Sequence, residues 1–180
     1  MKTYQICQFI GFPKIARLNR EIIITEKIDG TNAQICITED GEFLVGSRTR
    51  WITPQDDNHG FARWAHENKD ELMKLGQGRH FGEWWGQGIQ RNYGLKEKRF
   101  SLFNTTRWID KPKCCEVVPI LYKGLFDQKM IDECLKMLRE GGSLASIGFM
   151  EPEGIIIYHT ALCKGFKVTL EKDEKPKSKI

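Results

Sequence analysis

Between residues 21 and 47 the apolar positions change rhythm in a way that predicts strands. Ile22-Ile23-Ile24 is a continuous β-branched run, and Ala33, Ile35 and Ile37 alternate with polar neighbours. Phe43 and Val45 alternate again after Asp40-Gly41, a two-residue turn signal. The first two runs are separated by Glu26-Lys27-Ile28-Asp29-Gly30-Thr31-Asn32, which reads as strand, tight turn, strand. Gly46-Ser47-Arg48-Thr49-Arg50 closes the third strand with two arginines. Phe61, Ala65, Leu72 and Leu75 share one helical stripe, and Gly76 stops it. An apolar-aromatic segment follows from His80 to Gly86, then a glycine-rich loop with Tyr93. Arg99–Asn104 and Glu116–Val118 read as strands.

The clearest helix runs from about Asp127 to Glu140. Met130, Ile131, Cys134, Leu135 and Leu138 lie on one face, Asp127 can cap it, and Gly141-Gly142 ends it. Two last strands, Gly154–Tyr158 and Phe166–Leu170, come after Pro152. Strands in runs with two helices between them predict an α+β fold of antiparallel sheets flanked by helices. No internal repeat or interdomain linker interrupts the pattern.

Composition narrows the picture only modestly. The chain has 180 residues, 40% hydrophobic and 29% charged, which suits one soluble globular domain. No apolar run approaches the roughly 20 residues of a membrane span, and Met1-Lys2-Thr3-Tyr4-Gln5 has no apolar signal region. The net charge is +4, compatible with phosphate-rich partners. Cysteines at 7, 36, 114, 115, 134 and 163 show no paired spacing and are expected to be reduced in a cytoplasmic setting. Without Cys-x-x-Cys or His-x-x-x-His spacing, a structural zinc site is not expected.

The chemistry centres on Lys27. A lysine at a strand end beside a tight turn is held rigidly and faces a cleft. An amine that attacks phosphorus forms a phosphoramidate, labile enough to pass its phosphoryl group on. The attacking amine must be neutral, so desolvation or neighbouring cations must favour its deprotonated form. The bland alternative is an exposed hairpin lysine.

Lys27-Ile28-Asp29-Gly30 is the signature of covalent nucleotidyltransferases, and five further segments follow it in order. Arg48 ends a strand, Glu83 lies in Phe81-Gly82-Glu83-Trp84, Phe103 ends another strand, Glu153-Gly154 opens one, and Lys167 sits in Phe166-Lys167-Val168-Thr169. Together they resemble the ATP-dependent RNA ligases of the phage T4 second-ligase and kinetoplastid editing type, within the superfamily of DNA ligases, RNA ligases and capping enzymes. The resemblance spans roughly Glu21 to Leu170.

It implies a ligase-type nucleotidyltransferase domain over residues 1–170 and a charged tail over 171–180. It implies ATP, a lysyl-AMP intermediate at Lys27, and Mg²⁺ or Mn²⁺. Asp29, Arg48 and Lys167 join Lys27 as catalytic residues. Glu26, Ile28, Asn32, Arg48, Glu83, Phe103, Glu153, Lys164 and Lys167 would bind the nucleotide. Phe103 would stack the adenine, Glu83 would bond the ribose, and Glu83 and Glu153 would serve the metal. Each residue also has an ordinary reading: a core phenylalanine, a surface or turn carboxylate, a solvated strand end.

Two departures qualify the match. The fifth motif is usually Lys-x-Lys and here is Lys167-Val168-Thr169, with Lys164 three residues earlier as the substitute. The chain also stops about ten residues later, so an appended C-terminal domain is expected to be lacking or supplied by a partner, as is end healing. The expected partners are RNA ends or nicks carrying a 5′-phosphate and a 3′-hydroxyl. The expected setting is intracellular and compatible with phage or viral origin. The alternatives are a DNA ligase or capping-type nucleotidyltransferase, and a nucleotide- or RNA-end-binding module without turnover.

Overall fold

Ile22 and Ile24 point one way from their strand and Ile23, Thr25 and Lys27 the other, and this alternation sets the architecture. The structure is a computed structural model and describes residues 9–108 and 110–173. Among the described residues, nine strands form two sheets. β1 (Glu21–Lys27), β7 (Ile120–Leu125), β8 (Gly154–His159) and β9 (Lys164–Thr169) build a four-stranded sheet in the order β7-β1-β8-β9. β2 (Thr31–Ile37), β3 (Phe43–Ser47), β4 (Gly78–Gly86), β5 (Lys98–Leu102) and β6 (Cys115–Val117) build the other, in the order β3-β2-β4-β5-β6.

Each sheet buries one face under helix. Ile22, Ile24, Ile155 and Ile157 pack against Ile131, Cys134 and Leu138 of α3 (Gln128–Gly141). Ala33, Ile35, Trp84, Phe100 and Leu102 pack against Phe61, Ala62 and Ala65 of α1 (Phe61–Glu67), Leu72 of α2 (Lys69–Leu72) and Leu75. The opposite faces of the two sheets line the cavity described below. Asp127 caps α3 as expected, its carboxylate accepting from the Lys129 N–H at 2.9 Å.

Four features depart from the expectation. β1 and β2 do not pair with each other; the chain changes sheets across Ile28-Asp29-Gly30. The 61–75 stripe is broken into α1, α2 and a 3₁₀ turn over Met73–Leu75. At the break the Asn68 side-chain amide donates to the Trp64 carbonyl at 2.8 Å, competing with continued helix. β7 carries no alternation because it is an edge strand, exposed or half-buried along its length. β6 runs parallel to β5, so that sheet is mixed rather than wholly antiparallel.

The passage between sheets is tight at Gly30. A Cβ there would lie 2.4 Å from the Trp84 carbonyl oxygen and 2.7 Å from the Trp85 Cβ, so only glycine fits without moving β4. Of the charged tail, Asp173 accepts from the Thr169 N–H at 2.8 Å, while residues 174–180 lie outside the described residues. No helix among the described residues is long and apolar enough to cross a membrane.

Gly30→Ala is expected to lower stability by about 1–3 kcal/mol, the usual range for overpacking a close contact. Chemical denaturation of the two proteins checks this; an unchanged midpoint would show that β4 yields freely at Trp84.

Candidate functional site

The unburied faces of the two sheets enclose a cavity of about 880 Å³, within the range of small-ligand pockets. The four-stranded sheet contributes Thr25, Lys27, Ile156, Tyr158 and Lys167, and the five-stranded sheet contributes Asn32, Phe81 and Glu83. Arg48, beyond β3, and Phe103, beyond β5, complete the rim.

Strand register explains which side chains meet. Lys27 lies opposite Gly154, and Thr25 opposite Ile156, which in turn faces Lys167. Lys27 thus emerges on the cavity side, and its Nζ donates to Glu153 Oε2 just before β8. Across the cavity, Glu83 lies opposite Asn32 and Ser101. Its Oε1 accepts from the Gly30 N–H at 3.1 Å and its Oε2 from the Asn32 amide at 2.9 Å.

Glu83 is 7% exposed, and burial is the main influence on its protonation. It pushes the carboxyl up to about 7, against the pull of Asn32, Lys27 and Gly30 and with some help from Glu153.

Asp29 is held from the loop between β4 and β5. Its N–H donates to the Tyr93 hydroxyl at 2.8 Å, and its carboxylate accepts from Arg91 Nε at 3.1 Å. Arg91 also donates to the Glu151 carbonyl at 3.1 Å, tying the Lys27 turn to the segment carrying Glu153. Gln90, Asn92 and Tyr93 have φ of 44°, 62° and 51°, a left-handed path uncommon for residues other than glycine. The buried Ser146 hydroxyl fixes that path by donating to the Tyr93 carbonyl at 2.9 Å.

Most of the sequence-predicted residues come together: Glu26, Lys27, Ile28, Asp29, Asn32, Arg48, Glu83, Phe103, Glu153 and Lys167 all line the cavity. Two do so differently from expectation. The Glu26 carboxylate lies on the α3 side of β1, where Ser143 Oγ donates to it and the Leu144 and Ala145 N–H groups donate at 2.8 and 2.9 Å. It therefore anchors the loop after α3, and burial raises its pKa despite those three donors. The Ile28 side chain is buried with Trp85, Tyr93 and Val118.

Lys164 is absent from the lining. It starts β9 opposite His159, three residues from Lys167, and an odd spacing in a strand puts the two lysines on opposite faces. Thr169, opposite Gly154, is the residue that shares the face of Lys167. Sequence reasoning missed Arg91, Tyr93, Phe81 and Tyr158. Arg91 and Tyr93 lie in the glycine-rich loop between β4 and β5, where no periodicity shows which side chains turn toward Asp29. Tyr158 was legible in principle, because it alternates with Ile156 on β8.

Fit to a divalent ion can be judged from the donor set. Hard ions take carboxylate oxygens and complete their shell with phosphate and water. Glu153 offers such a carboxylate beside Lys27, whereas both Glu83 oxygens already serve Gly30 and Asn32. No group of three or more metal-ligating residues occurs among the described residues.

With that geometry in view, comparison with known proteins gives a class. The RNA ligase family model matches residues 20–171, and the chain belongs to the RNA ligase family. Solved structures with the same fold include a variant RNA ligase from Naegleria gruberi with AMP and Mn. It has 22% identity and a TM-score of 0.64, covering 87% of this chain and 53% of that one. Another variant of that ligase, with ATP and Mn, has 22% identity and a TM-score of 0.63, covering 87% and 52%. The N. gruberi ligase with PPi has 22% identity and a TM-score of 0.62, covering 84% and 50%. This chain spans about half the length of those structures. Comparison with curated protein sequences finds no match.

The raised Glu83 pKa has a stability consequence in metal-free buffer. Between the ordinary carboxyl value of 4.5 and about 7 the folded protein holds a proton that the unfolded chain releases, so stability falls as pH rises through that window. Glu83→Gln lacks this slope. The wild type should lose up to about 3 kcal/mol relative to the variant between these pH values, then run parallel above about 7. Parallel denaturation curves at all pH values would place the titration elsewhere.

Proposed function

We propose that this chain takes AMP from ATP onto Lys27 and passes it to RNA ends for sealing. The observation that carries this reading is the Lys27 amine facing a cavity on which Arg48, Glu83, Phe103, Glu153 and Lys167 converge from two sheets. Family membership supports RNA as the polynucleotide.

In the first step Lys27 Nζ attacks the α-phosphorus. A P–N bond forms, the bond to the bridging oxygen breaks, and pyrophosphate leaves. The amine must first shed a proton, and Glu153, bonded to Nζ, is its nearest acceptor. Arg48 and Lys167 balance charge developing on the departing phosphates. Phe103 offers a face for adenine, and Glu83 fixes the turn after Lys27 and lies within the same wall for the ribose. Glu153 would hold a Mg²⁺ or Mn²⁺ on the protein side, and the ion would supply further neutralisation of the phosphates. In the second step a 5′-phosphate oxygen attacks the same phosphorus, the P–N bond breaks, and Lys27 is regenerated. In the third step a 3′-hydroxyl attacks the activated 5′-phosphate, a phosphodiester forms, and AMP departs.

Residues 1–170 then constitute the nucleotidyltransferase unit, and its partners are RNA ends with 5′-phosphate and 3′-hydroxyl groups.

Intact-mass measurement after ATP and Mg²⁺ should show one added AMP, lost in Lys27→Ala and in excess EDTA. An adduct persisting in Lys27→Ala would overturn the assignment of the nucleophile. Sealing is tested on two nicked duplexes differing only in ribose or deoxyribose at the 3′-hydroxyl side. Faster sealing of the ribose form is expected; equal or faster sealing of the all-DNA nick would favour a DNA ligase.

A further inference from the structure

From Phe103, which faces the adenine, the five-stranded sheet carries an exposed aromatic row whose far end, at Trp51, lies outside the cavity and has no part in the nucleotide-transfer steps. Cross-strand register defines it. The Phe103 N–H donates to the Phe81 carbonyl at 3.0 Å, Phe81 lies opposite Gln34, Gln34 opposite Gly46, and Gly46 bridges to Trp51. Phe103, Phe81, Gln34, Gly46 and Trp51 thus form one line across the strands, starting at the cavity and ending beyond β3. Phe103, Phe81 and Trp51 are 42%, 51% and 45% exposed, unusual for three large aromatics in one line.

The polar members of the row are ordered. Arg79 lies over the Trp51 ring with its guanidinium carbon 5.3 Å from the centroid, and donates to Gln34 Oε1 at 3.3 Å. Gly46 has no side chain, and Gln34 occupies the space a Cβ would take, 2.8 Å away. Arg48, in the turn between Gly46 and Trp51, adds a second cation near the Trp51 end and also lines the cavity, while the nearby Arg50 is paired with Asp56. The outcome is a surface of aromatic faces and arginine that shares Phe103, Phe81 and Arg79 with the cavity and extends past it to Trp51.

We propose that this row seats an unpaired polynucleotide segment leading from the break, so that the preferred substrate has single-stranded bases next to the joined ends. The inference rests on the polynucleotide-sealing reading of the Lys27 site. Aromatic faces gain from bases whose faces are free, whereas a paired duplex presents phosphates and base edges. Four strand-to-strand steps of about 4.8 Å make the row about 19 Å long, against about 3.4 Å per stacked nucleotide, which leaves room for several bases. Arg79 supplies cation–π support at Trp51 and charge for the backbone.

The probe is a labelled oligouridylate with a 5′-phosphate, free or annealed to its complement, titrated by fluorescence anisotropy at several salt concentrations without ATP. The free strand should bind more tightly than the duplex. Trp51→Ala should weaken free-strand binding about tenfold, as expected for loss of one stacked base. Trp51→Phe should restore most of that binding. Trp51→Ala should leave both the melting temperature and ATP-dependent labelling of Lys27 unchanged. Equal binding by wild type and Trp51→Ala, or tighter binding of the duplex, would overturn the inference. Labelling of Lys27 with no oligouridylate binding would remove the row and leave the nucleotide-transfer reading. Trp51-dependent binding without labelling would retain the row and remove the reaction.

Discussion

Three residues must carry the chain from one sheet to another, and the position of Lys27 depends on that passage. β1 ends at Lys27 in the four-stranded sheet and β2 begins at Thr31 in the five-stranded one. Ile28 fills the apolar junction with Trp85 and Tyr93, Asp29 is pinned by Tyr93 and Arg91, and Gly30 slides past the Trp84 carbonyl. A reactive amine at the end of a freely flexing hairpin would sample many positions. Here both sides of the turn belong to packed sheets, so the lysine is oriented before any substrate arrives. Such preorganisation is what lets an amine meet phosphorus along one line of attack.

Three carboxylates surround this passage, and their surroundings give them different work. Glu26 is buried behind β1 and satisfied by one hydroxyl and two backbone N–H groups, so it holds the loop after α3. Glu83 is buried in β4 and satisfied by Gly30 and Asn32, so it holds the turn. Glu153 meets Lys27 itself. Burying two carboxyl groups costs free energy, and the hydrogen bonds given to each offset that cost.

Much of this was legible in the sequence because it was written at short range. The Ile22–Ile24 run, the Ala33-Ile35-Ile37 alternation and the apolar face of α3 follow from local periodicity, and the site motifs appear in chain order. The sheet assignment was not legible, because whether β1 pairs with β2 or departs from it depends on contacts of Gly30 with Trp84, far away in sequence. β7 escaped for the opposite reason: an edge strand half-exposed on both faces has no alternation to read. The placement of Lys164 on the face of β9 opposite Lys167 was not legible from distance along the chain, because the parity of the strand decides which face a residue joins. Arg91 lies in an irregular loop, and its partnership with Asp29 spans 62 positions.

Among the described residues, Ile28, Trp85, Tyr93 and Val118 form a small apolar cluster of their own, apart from the two helix-backed cores. The molecule can be pictured as two leaves, each a sheet backed by helix, with this cluster as the spine. Lys27 and Lys167 stand on one leaf, and Glu83 and Phe103 on the other. A nucleotide reaching both leaves becomes a strut between them, and its affinity includes the work of holding the spine at one angle. Changes at the spine therefore act on the grip through leaf spacing, without touching any group that meets the nucleotide.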